Sequence, residues 1–436
     1  MIKKIRRISN EIDWKAWFII CCAGTFYSYQ FIVRVFPNVM RNEILTAFKI
    51  DAHIFGDIIS LYDWAYAMMQ IPIGLLLDRF GPRVLMTVAA LCCALGCLVF
   101  AFTTNVYVAS FARFLMGMGS ACGFIGTIKL GTLWFPPHRL GQVIALTIVM
   151  GTLGATMGGT PLSILIDWVS WSVSLIILGA LGVGLSILIY FFVMNTPTGQ
   201  EIPEHFREHD SNILKSLKRV LLSSQAWYMS LFSMLMYVPL TVWGVAWGVG
   251  FIQKCISLPE KSAAAIIGIM FIGAAIGSPF FIALSDYFSS RRLPMIIGCL
   301  VALTSHVFLL YMPTLDAFWF TVLFFLIGFS YTSKSLSFAG ICEIMPKSIS
   351  GVSLGFMNMI VMLNGAVLHP TIGKLLVHFW DRSINSDGSP LYSAYTYRIS
   401  LSVVPICLIV SLIILIFIKE THPNRTMGHG KVKPTL

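Results

Sequence analysis

The stretch Gly74–Arg83, GLLLDRFGPR, joins two long apolar segments of the chain. It places Asp78, Arg79 and Arg83 around a Gly-Pro pair. A Gly-Pro pair favours a tight turn, because glycine accepts positive φ and proline fixes its own φ. Charged side chains are costly in hydrocarbon, so the charges belong at its edge. The stretch therefore predicts a tight, charged turn between two consecutive membrane-spanning helices.

The composition extends this prediction to the whole chain. Of its 436 residues, 57% are hydrophobic and 11% are charged, whereas a soluble domain is about 25% charged. Apolar runs of roughly 18 residues or more are typical of transmembrane helices, whose backbone groups are satisfied internally. We therefore predict an all-α polytopic membrane protein with twelve spans, at 14–36, 54–77, 84–103, 106–130, 140–163, 171–194, 227–252, 262–284, 294–312, 317–340, 352–377 and 397–418.

We attribute the net charge of +11 to the placement of basic residues on one side of a membrane. Most lysines and arginines outside the spans fall on alternate loops, together with both ends of the chain. Cytoplasmic loops carry such an excess of basic residues. We therefore expect both termini in the cytoplasm and no nucleic-acid partner.

The spans are arranged as two halves of six. Three short stretches recur in the same order in both halves: DRFGPR with DYFSSR, RFLMGMGSACGF with FFLIGFSYTSKS, and FPPHRLGQV with IMPKSISGV. Such internal repeats are typical of transporter folds. The polar loop between the halves predicts a linker. The expected domains are a six-helix bundle at 1–194, a cytoplasmic linker at 195–226, a second, pseudo-symmetric bundle at 227–418 and a cytoplasmic tail at 419–436.

Ionisable side chains within the first spans are candidates for function, because their burial in a membrane is costly. Tyr27, Gln30 and Arg34 share one face of span one by their helical spacing. Asp63 in span two is placed to pair with Arg34. Two interpretations stay open: a structural ion pair, or a role in binding substrate and coupling protons, with Asp63 as the proton site.

Further candidates lie in later spans. Arg113 in span four is suited to hold a substrate carboxylate, or alternatively to brace its neighbours. Lys334 lies near the middle of span ten, and Asn358 shares a face of span eleven with His369. His369 is either a proton relay or a hydrogen-bonded structural histidine. We predict substrate contacts at Tyr27, Gln30, Arg34, Arg113, Lys334 and Asn358, and proton coupling at Asp63 and His369.

Span seven carries an aromatic cluster around Pro239. Tyr237, Trp243 and Trp247 follow one another there, with Gly244 between the tryptophans. They predict either the wall of a broken cavity helix or an aromatic belt facing lipid.

The turn after span two resembles the signature of the major facilitator superfamily, a glycine followed by Asp-Arg-x-Gly-x-Arg. A degenerate copy follows span eight. The resemblance covers all twelve spans and implies the major facilitator fold. It also implies a gating role for Gly74, Asp78, Arg79, Gly81, Arg83, Asp286 and Arg291.

Two other spans bear on this resemblance. Arg113 and Gly117 match the Arg-x-x-x-Gly pattern of span four in this superfamily. In span five, GTLGATMGG resembles a glycine-rich motif of exporters, but Ala155 stands where that motif has proline. Its glycines are also explained by close helix contact.

A narrower resemblance concerns three stretches, YSYQFIVRVFPNVM at 27–40, YDWAYAMMQIPIGLLLDRFGPR at 62–83 and KLGTLWFPPHR at 129–139. They resemble the proteobacterial phagosomal amino-acid transporter subgroup. This implies uptake of an amino acid or related metabolite across a bacterial inner membrane.

The sequence contains no phosphate-binding loop of ATPases and no metal-ligand spacing. We therefore expect a monomeric secondary active transporter, not an enzyme, without cofactor or metal. Its partners would be a small polar solute, protons and the bilayer. The alternatives are efflux of a drug, siderophore or organic anion, and a receptor that has lost transport.

Overall fold

The structure is a computed structural model, and its helices follow the predicted spans closely. It describes residues 2–135, 140–196, 213–312, 315–346, 349–384 and 390–421. The helices of the first half are α1 (Ile2–Val39), α2 (Arg41–Phe48), α3 (Ala52–Phe102), α4 (Val106–Ser120), α5 (Cys122–Trp134), α6 (Leu140–Met157), α7 (Thr160–Val169) and α8 (Trp171–Phe192).

The second half repeats this pattern after a short amphipathic helix. Its helices are α9 (Ile213–Leu221), α10 (Ser224–Pro239), α11 (Gly248–Ile256), α12 (Glu260–Tyr287), α13 (Arg292–Tyr311), α14 (Ala317–Tyr331), α15 (Ser335–Ile344), α16 (Ser350–His378), α17 (Ala394–Leu401) and α18 (Val403–Phe417). A π-helical segment, Leu240–Trp247, joins α10 to α11. A single 3₁₀ turn, Thr332–Lys334, joins α14 to α15.

The predicted all-α membrane fold is confirmed. Eleven segments of the described residues are helical, long and apolar enough to cross a membrane. The one remaining predicted span, span two at 54–77, is helical too, as the first part of α3. The described ranges contain no β-structure beyond one isolated bridge, between Ile384 and Pro390.

The charged turn at Gly74–Arg83 lies inside α3. Gly81 has a φ of 77° and a ψ of 158°, so it separates span two from span three. A Cβ at this position would lie 2.5 Å from Nδ2 of Asn195, and the backbone N–H of Arg83 donates to Oδ1 of the same asparagine at 2.9 Å. Glycine is required at position 81 by both its backbone angle and its surroundings.

By its internal contacts the chain divides into two compact units. The first consists of Met1–Phe48 and Leu61–Ser211, and the second of Lys49–Ser60 and Asn212–Leu436. The start of α3 thus belongs to the second unit. There Gly56 packs on α16, where a Cβ would come within 2.8 Å of the carbonyl carbon of His369.

The first unit packs through glycines on span five. Gly154 faces the backbone of span one, and a Cβ there would lie 2.6 Å from the carbonyl carbon of Ser28 and 2.7 Å from its Cα. Gly151 faces the ring of Tyr27 in the same way, at 2.5 Å from Cε1. Small residues let transmembrane helices approach closely, so these glycines serve packing in this structure.

We predict that Gly154→Ala lowers the thermal stability of the protein in detergent. The added methyl group has no room, because the neighbouring atoms belong to the backbone of Ser28. The matched control is Gly184→Ala in span six, where a Cβ would meet nothing within 4 Å. Alanine is the better helix former by about 0.5–1 kcal/mol, so the control is expected to melt at the wild-type temperature or above. Equal melting temperatures for both variants would contradict the packing role of Gly154.

Candidate functional site

The predicted partners Arg34 and Asp63 form a buried ion pair in the first unit. Nη2 of Arg34 lies 3.1 Å from Oδ1 of Asp63, and the two side chains are 2% and 1% exposed. Helical spacing alone placed each residue on a face of its span, and the packing of α1 against α3 brings the faces together. The pair holds two opposite charges inside the bundle, where an isolated charge would be costly.

A second arginine, Arg113, lies beside this pair. It is fully buried, and its Nη1 donates to the backbone carbonyl of Val33 at 2.9 Å. Its guanidinium carbon lies 5.1 Å from the ring centre of Phe36 and 4.7 Å from that of Tyr62. Its Nε and Nη2 are buried and hydrogen-bond to no atom of the described residues. The Nε–Nη2 edge of the guanidinium group is therefore without a hydrogen-bond partner in the described part of the chain.

Polar and aromatic residues of span one complete the cluster. Oη of Tyr62 donates to Oε1 of Gln30 at 3.1 Å. The ring of Tyr27 packs against the rings of Phe31 and Phe124, at centroid distances of 5.1 and 5.5 Å. The structure thus brings together the predicted residues Gln30, Arg34, Asp63 and Arg113, and it adds Tyr62, which the sequence analysis missed. Its place one residue before Asp63 was the available signal.

The cluster carries an excess of positive charge. Two buried arginines share it with Asp63, which is the single fully buried carboxylate among the described residues. Because Asp63 already pairs with Arg34, the charge of Arg113 has no equally close acidic counterpart in the described ion pairs. Such an arrangement favours an anion as ligand.

In the second unit the predicted residues lie on spans ten and eleven. Lys334 ends the 3₁₀ turn that interrupts span ten, and its Nζ lies 4.5 Å from the ring centre of Tyr237 and 5.2 Å from that of Phe338. On α16, Asn358 is half-buried and His369 is fully buried. A 3₁₀ segment inside an α-helical span, as at Lys334, often marks a functional hinge.

Span seven is an interior helix. Trp243 and Trp247 are both fully buried, so the alternative of an aromatic belt facing lipid is wrong for them. Nε1 of Trp243 donates to Nε2 of His306 at 2.9 Å, and Nδ1 of His306 lies 2.6 Å from the carbonyl oxygen of Ala302. Because indole only donates, Nε2 accepts and Nδ1 carries the proton. His306 is therefore a neutral structural histidine, which the sequence analysis did not single out.

The predicted gating residues of the first copy lie on either side of Gly81 within α3. In the first copy, Nε of Arg83 donates to the carbonyl oxygen of Tyr190 at 2.8 Å, while Arg79 is exposed. A Cβ added at Gly74 would meet nothing within 4 Å. The side chain of Asp78 lies outside the described residues.

The second copy is held by the predicted Asp286 and by two acidic residues, Glu343 and Glu420, that the sequence analysis missed. Arg291 forms ion pairs with Asp286, at 3.3 Å, and with Glu343, at 2.9 Å. Glu420, just after span twelve, accepts hydrogen bonds from the backbone N–H of Arg291, at 2.7 Å, and from the hydroxyl of Ser290. Glu343 directly precedes the repeated stretch IMPKSISGV at 344–352, so its position next to a repeat was the available signal.

The family follows from comparison with known proteins. The model of the Major Facilitator Superfamily matches residues 16–369. The chain belongs to the major facilitator superfamily. No group of three or more metal-binding side chains lies together in the part of the chain that the structure describes.

Several bacterial members of the superfamily are similar in sequence. The chain is 27% identical over 199 residues to the "Probable sulfoacetate transporter SauU" of Cupriavidus necator, covering 44% of this chain and 46% of that protein. It is 27% identical over 174 residues to the "Uncharacterized transporter YybO" of Bacillus subtilis, covering 40% of each. These two matches span less than half of the relatives' length. The "Probable galactarate/D-glucarate transporter GudP" of Escherichia coli is 23% identical over 393 residues, covering 80% of this chain and 84% of GudP.

Solved structures of the superfamily share the fold. A bacterial homologue of the human lysosomal transporter Spinster, in an inward-facing and unoccupied conformation, matches 97% of this chain and 99% of its own. The TM-score is 0.78 at 16% identity. The nucleoside transporter NupG matches 92% of this chain and 99% of its own, with a TM-score of 0.72 at 14% identity. At these identities the likeness concerns the fold alone.

A double-mutant cycle tests the buried ion pair. We predict that Arg34→Met and Asp63→Leu each lower the free energy of unfolding by about 3–5 kcal/mol, because each leaves an unpaired buried charge. The double variant is expected to recover much of this loss, since two apolar side chains replace the pair. Reversible unfolding in mixed detergent measures all four proteins. Additive losses in the double variant would show that the two charges are not coupled.

Proposed function

We propose that this member of the superfamily is a secondary active transporter that takes up a small solute bearing a carboxylate, together with protons, by alternating access. In this proposal it acts as a monomer in a bacterial inner membrane, with both termini in the cytoplasm. The turn at Gly74–Arg83 and its second copy serve the gate.

The unsatisfied Nε–Nη2 edge of Arg113 carries the proposal. Nε and Nη2 of one guanidinium group point the same way and match the two oxygens of a carboxylate. Both atoms are buried without a hydrogen-bond partner among the described residues, while Nη1 is engaged by Val33. An unsatisfied buried donor is unfavourable, so a carboxylate bound there would gain two charge-assisted hydrogen bonds and remove this cost.

The charge of the cluster supports an organic acid as the solute. Two of the similar proteins, SauU and GudP, are described as a probable sulfoacetate transporter and a probable galactarate/D-glucarate transporter. A D-galactonate transporter of Escherichia coli is 29% identical over 171 residues, covering 38% of this chain and 39% of that protein. All of these solutes are organic anions. An amino acid is the second candidate, from the resemblance to the phagosomal subgroup. Its carboxylate suits Arg113 equally well, but its ammonium group requires an acceptor, and Asp63 is already paired with Arg34.

The direction and energy source rest on sequence features. Ala155 replaces the proline of the exporter motif, which favours uptake over efflux of a drug, siderophore or anion. The sequence has no ATPase phosphate loop, so a gradient must drive accumulation. Asp63 is our first candidate for proton coupling, because protonation would release Arg34, and His369 is the second.

Ligand-induced stabilisation tests the binding role of Arg113. We expect Arg113→Lys to keep a near-normal melting temperature without ligand and to lose the shift caused by its carboxylate ligand. Lysine keeps the positive charge but lacks the two parallel N–H donors with which a guanidinium group binds both oxygens of a carboxylate. Loss of the charged contact is expected to cost roughly 2–5 kcal/mol, or about 30-fold to several-thousand-fold in affinity. Purified protein is screened against sulfoacetate, D-galactonate, galactarate and a panel of amino acids.

Arg219→Lys is the control, because Arg219 is exposed on α9. It is expected to keep the ligand-induced shift. An Arg113→Lys protein that is destabilised without ligand but still stabilised by it would refute the binding role. If only amino acids shift the wild type, the solute is an amino acid and not an organic acid.

Proton coupling is tested separately, in proteoliposomes. We predict that Asp63→Asn abolishes accumulation driven by a proton gradient and retains counterflow exchange of the solute, because exchange needs no net proton movement. A protonophore is expected to have the same effect on the wild type. Normal accumulation by Asp63→Asn would exclude Asp63 as the proton site, and His369→Gln is then the next variant to measure.

A further inference from the structure

The ring of Tyr62 lies beside both buried guanidinium groups. Its centre is 4.7 Å from Cζ of Arg113 and 5.9 Å from Cζ of Arg34. Tyr62 is fully buried, and its ring stacks on that of Tyr66 at a centroid distance of 6.2 Å. One aromatic side chain of span two is thus shared by arginines from span one and span four.

This arrangement has a clear electrostatic consequence. Two guanidinium groups repel each other, and the repulsion is stronger in a medium of low dielectric constant than in water. The face of an aromatic ring carries negative charge density and attracts cations. Asp63 compensates Arg34 directly through their ion pair. The guanidinium carbon of Arg113 lies against two aromatic rings, 4.7 Å from the centre of Tyr62 and 5.1 Å from that of Phe36, and both rings help to compensate its charge.

Span four can reach Tyr62 only because residue 117 is glycine. Gly117 lies one helical turn after Arg113, on the same face of α4. A Cβ at this position would overlap the carbonyl oxygen of Tyr62 and lie 2.8 Å from its carbonyl carbon and its Cα. Backbone atoms cannot rotate away as a flexible side chain can. Any larger residue would push α4 away from span two and lift Arg113 off the ring.

We propose that Tyr62 and Gly117 form a positioning seat for Arg113. Gly117 sets how closely α4 approaches span two, and the ring of Tyr62 fixes the plane of the guanidinium group, so that its Nε–Nη2 edge stays open and apart from Arg34. The seat gives a physical reason for the spacing of Arg113 and Gly117 in the Arg-x-x-x-Gly pattern. In its effect on binding, the inference rests on the proposed carboxylate site.

The seat predicts that the affinity for a carboxylate ligand depends on the aromatic ring of Tyr62 and not on its hydroxyl group. The hydroxyl bonds to Gln30, which contacts neither guanidinium group in the hydrogen bonds of the described residues. We expect Tyr62→Phe to bind the carboxylate ligand within about threefold of the wild-type affinity. Tyr62→Leu and Gly117→Ala are each expected to weaken binding by about tenfold, which is within the range of one cation–π contact. Isothermal titration with D-galactonate and with sulfoacetate measures the affinities.

Tyr29→Leu is the matched control. Tyr29 is a buried tyrosine of the same bundle, and its hydroxyl donates to the carbonyl oxygen of Leu178 on α8 at 3.0 Å. Its loss is expected to lower the melting temperature and leave the affinity unchanged. A merely structural role of Tyr62 predicts the same result for Tyr62→Leu, and that result would overturn the inference.

A second measurement needs no ligand. In protein labelled with ¹⁵N-arginine, the Nε–H resonance of Arg113 is expected to be shifted by the ring current of Tyr62. The shift should persist in Tyr62→Phe and decrease in Tyr62→Leu and Gly117→Ala. Unchanged resonances in these last two variants would refute the seat.

The two measurements separate the possible failures. If the resonances change as expected but neither organic acid nor amino acid binds the wild type, the proposed function fails and the seat stands. If the wild type binds a carboxylate and Tyr62→Leu binds it with equal affinity, the proposed function stands and the effect of the seat on binding is refuted.

Discussion

Hydrocarbon solvates neither backbone amides nor charged side chains, and this constraint shapes the whole molecule. It makes the described chain helical almost throughout, because a helix satisfies its own backbone groups. It also confines the charges to two kinds of place. Most lie in turns between spans, as at Arg79, and a few lie deep in a bundle beside groups that compensate them, as Arg34 does beside Asp63.

The buried charges depend on how closely the helices approach. Gly154 lets span five lie on the backbone of span one, which carries Arg34, and Gly117 lets span four lie on the backbone at Tyr62. Without the close approach at Gly117, Arg113 would lie farther from the ring of Tyr62. Close packing at small residues thus brings compensating groups next to the buried charges, and this lowers the cost of burying those charges in a membrane.

The two halves share a fold without sharing this site. The counterpart of Arg113 in the second half is Phe324, whose ring packs against that of Trp243 at 5.5 Å. The second half instead buries a neutral histidine on Trp243 and places Lys334 over the ring of Tyr237. At the turn after span eight, Arg291 forms ion pairs with two acidic residues, Asp286 and Glu343. The repeat thus sets the helices, while individual substitutions distinguish the chemistry of each half.

The amino-acid sequence by itself determined the helical membrane fold, the repeat of six spans and the turn at Gly81, because hydropathy, charge and a Gly-Pro pair act locally along the chain. It also brought forward Arg34, Asp63 and Arg113, since an ionisable residue within an apolar run is visible without any structure. Only the tertiary structure decided which of these touch. Tyr62 and His306 looked like ordinary residues of apolar spans, and Glu420 like part of a polar tail, because their roles come from partners distant in sequence. A hydrogen bond or a ring contact depends on how helices cross, and the helical period of one span carries no information about that crossing.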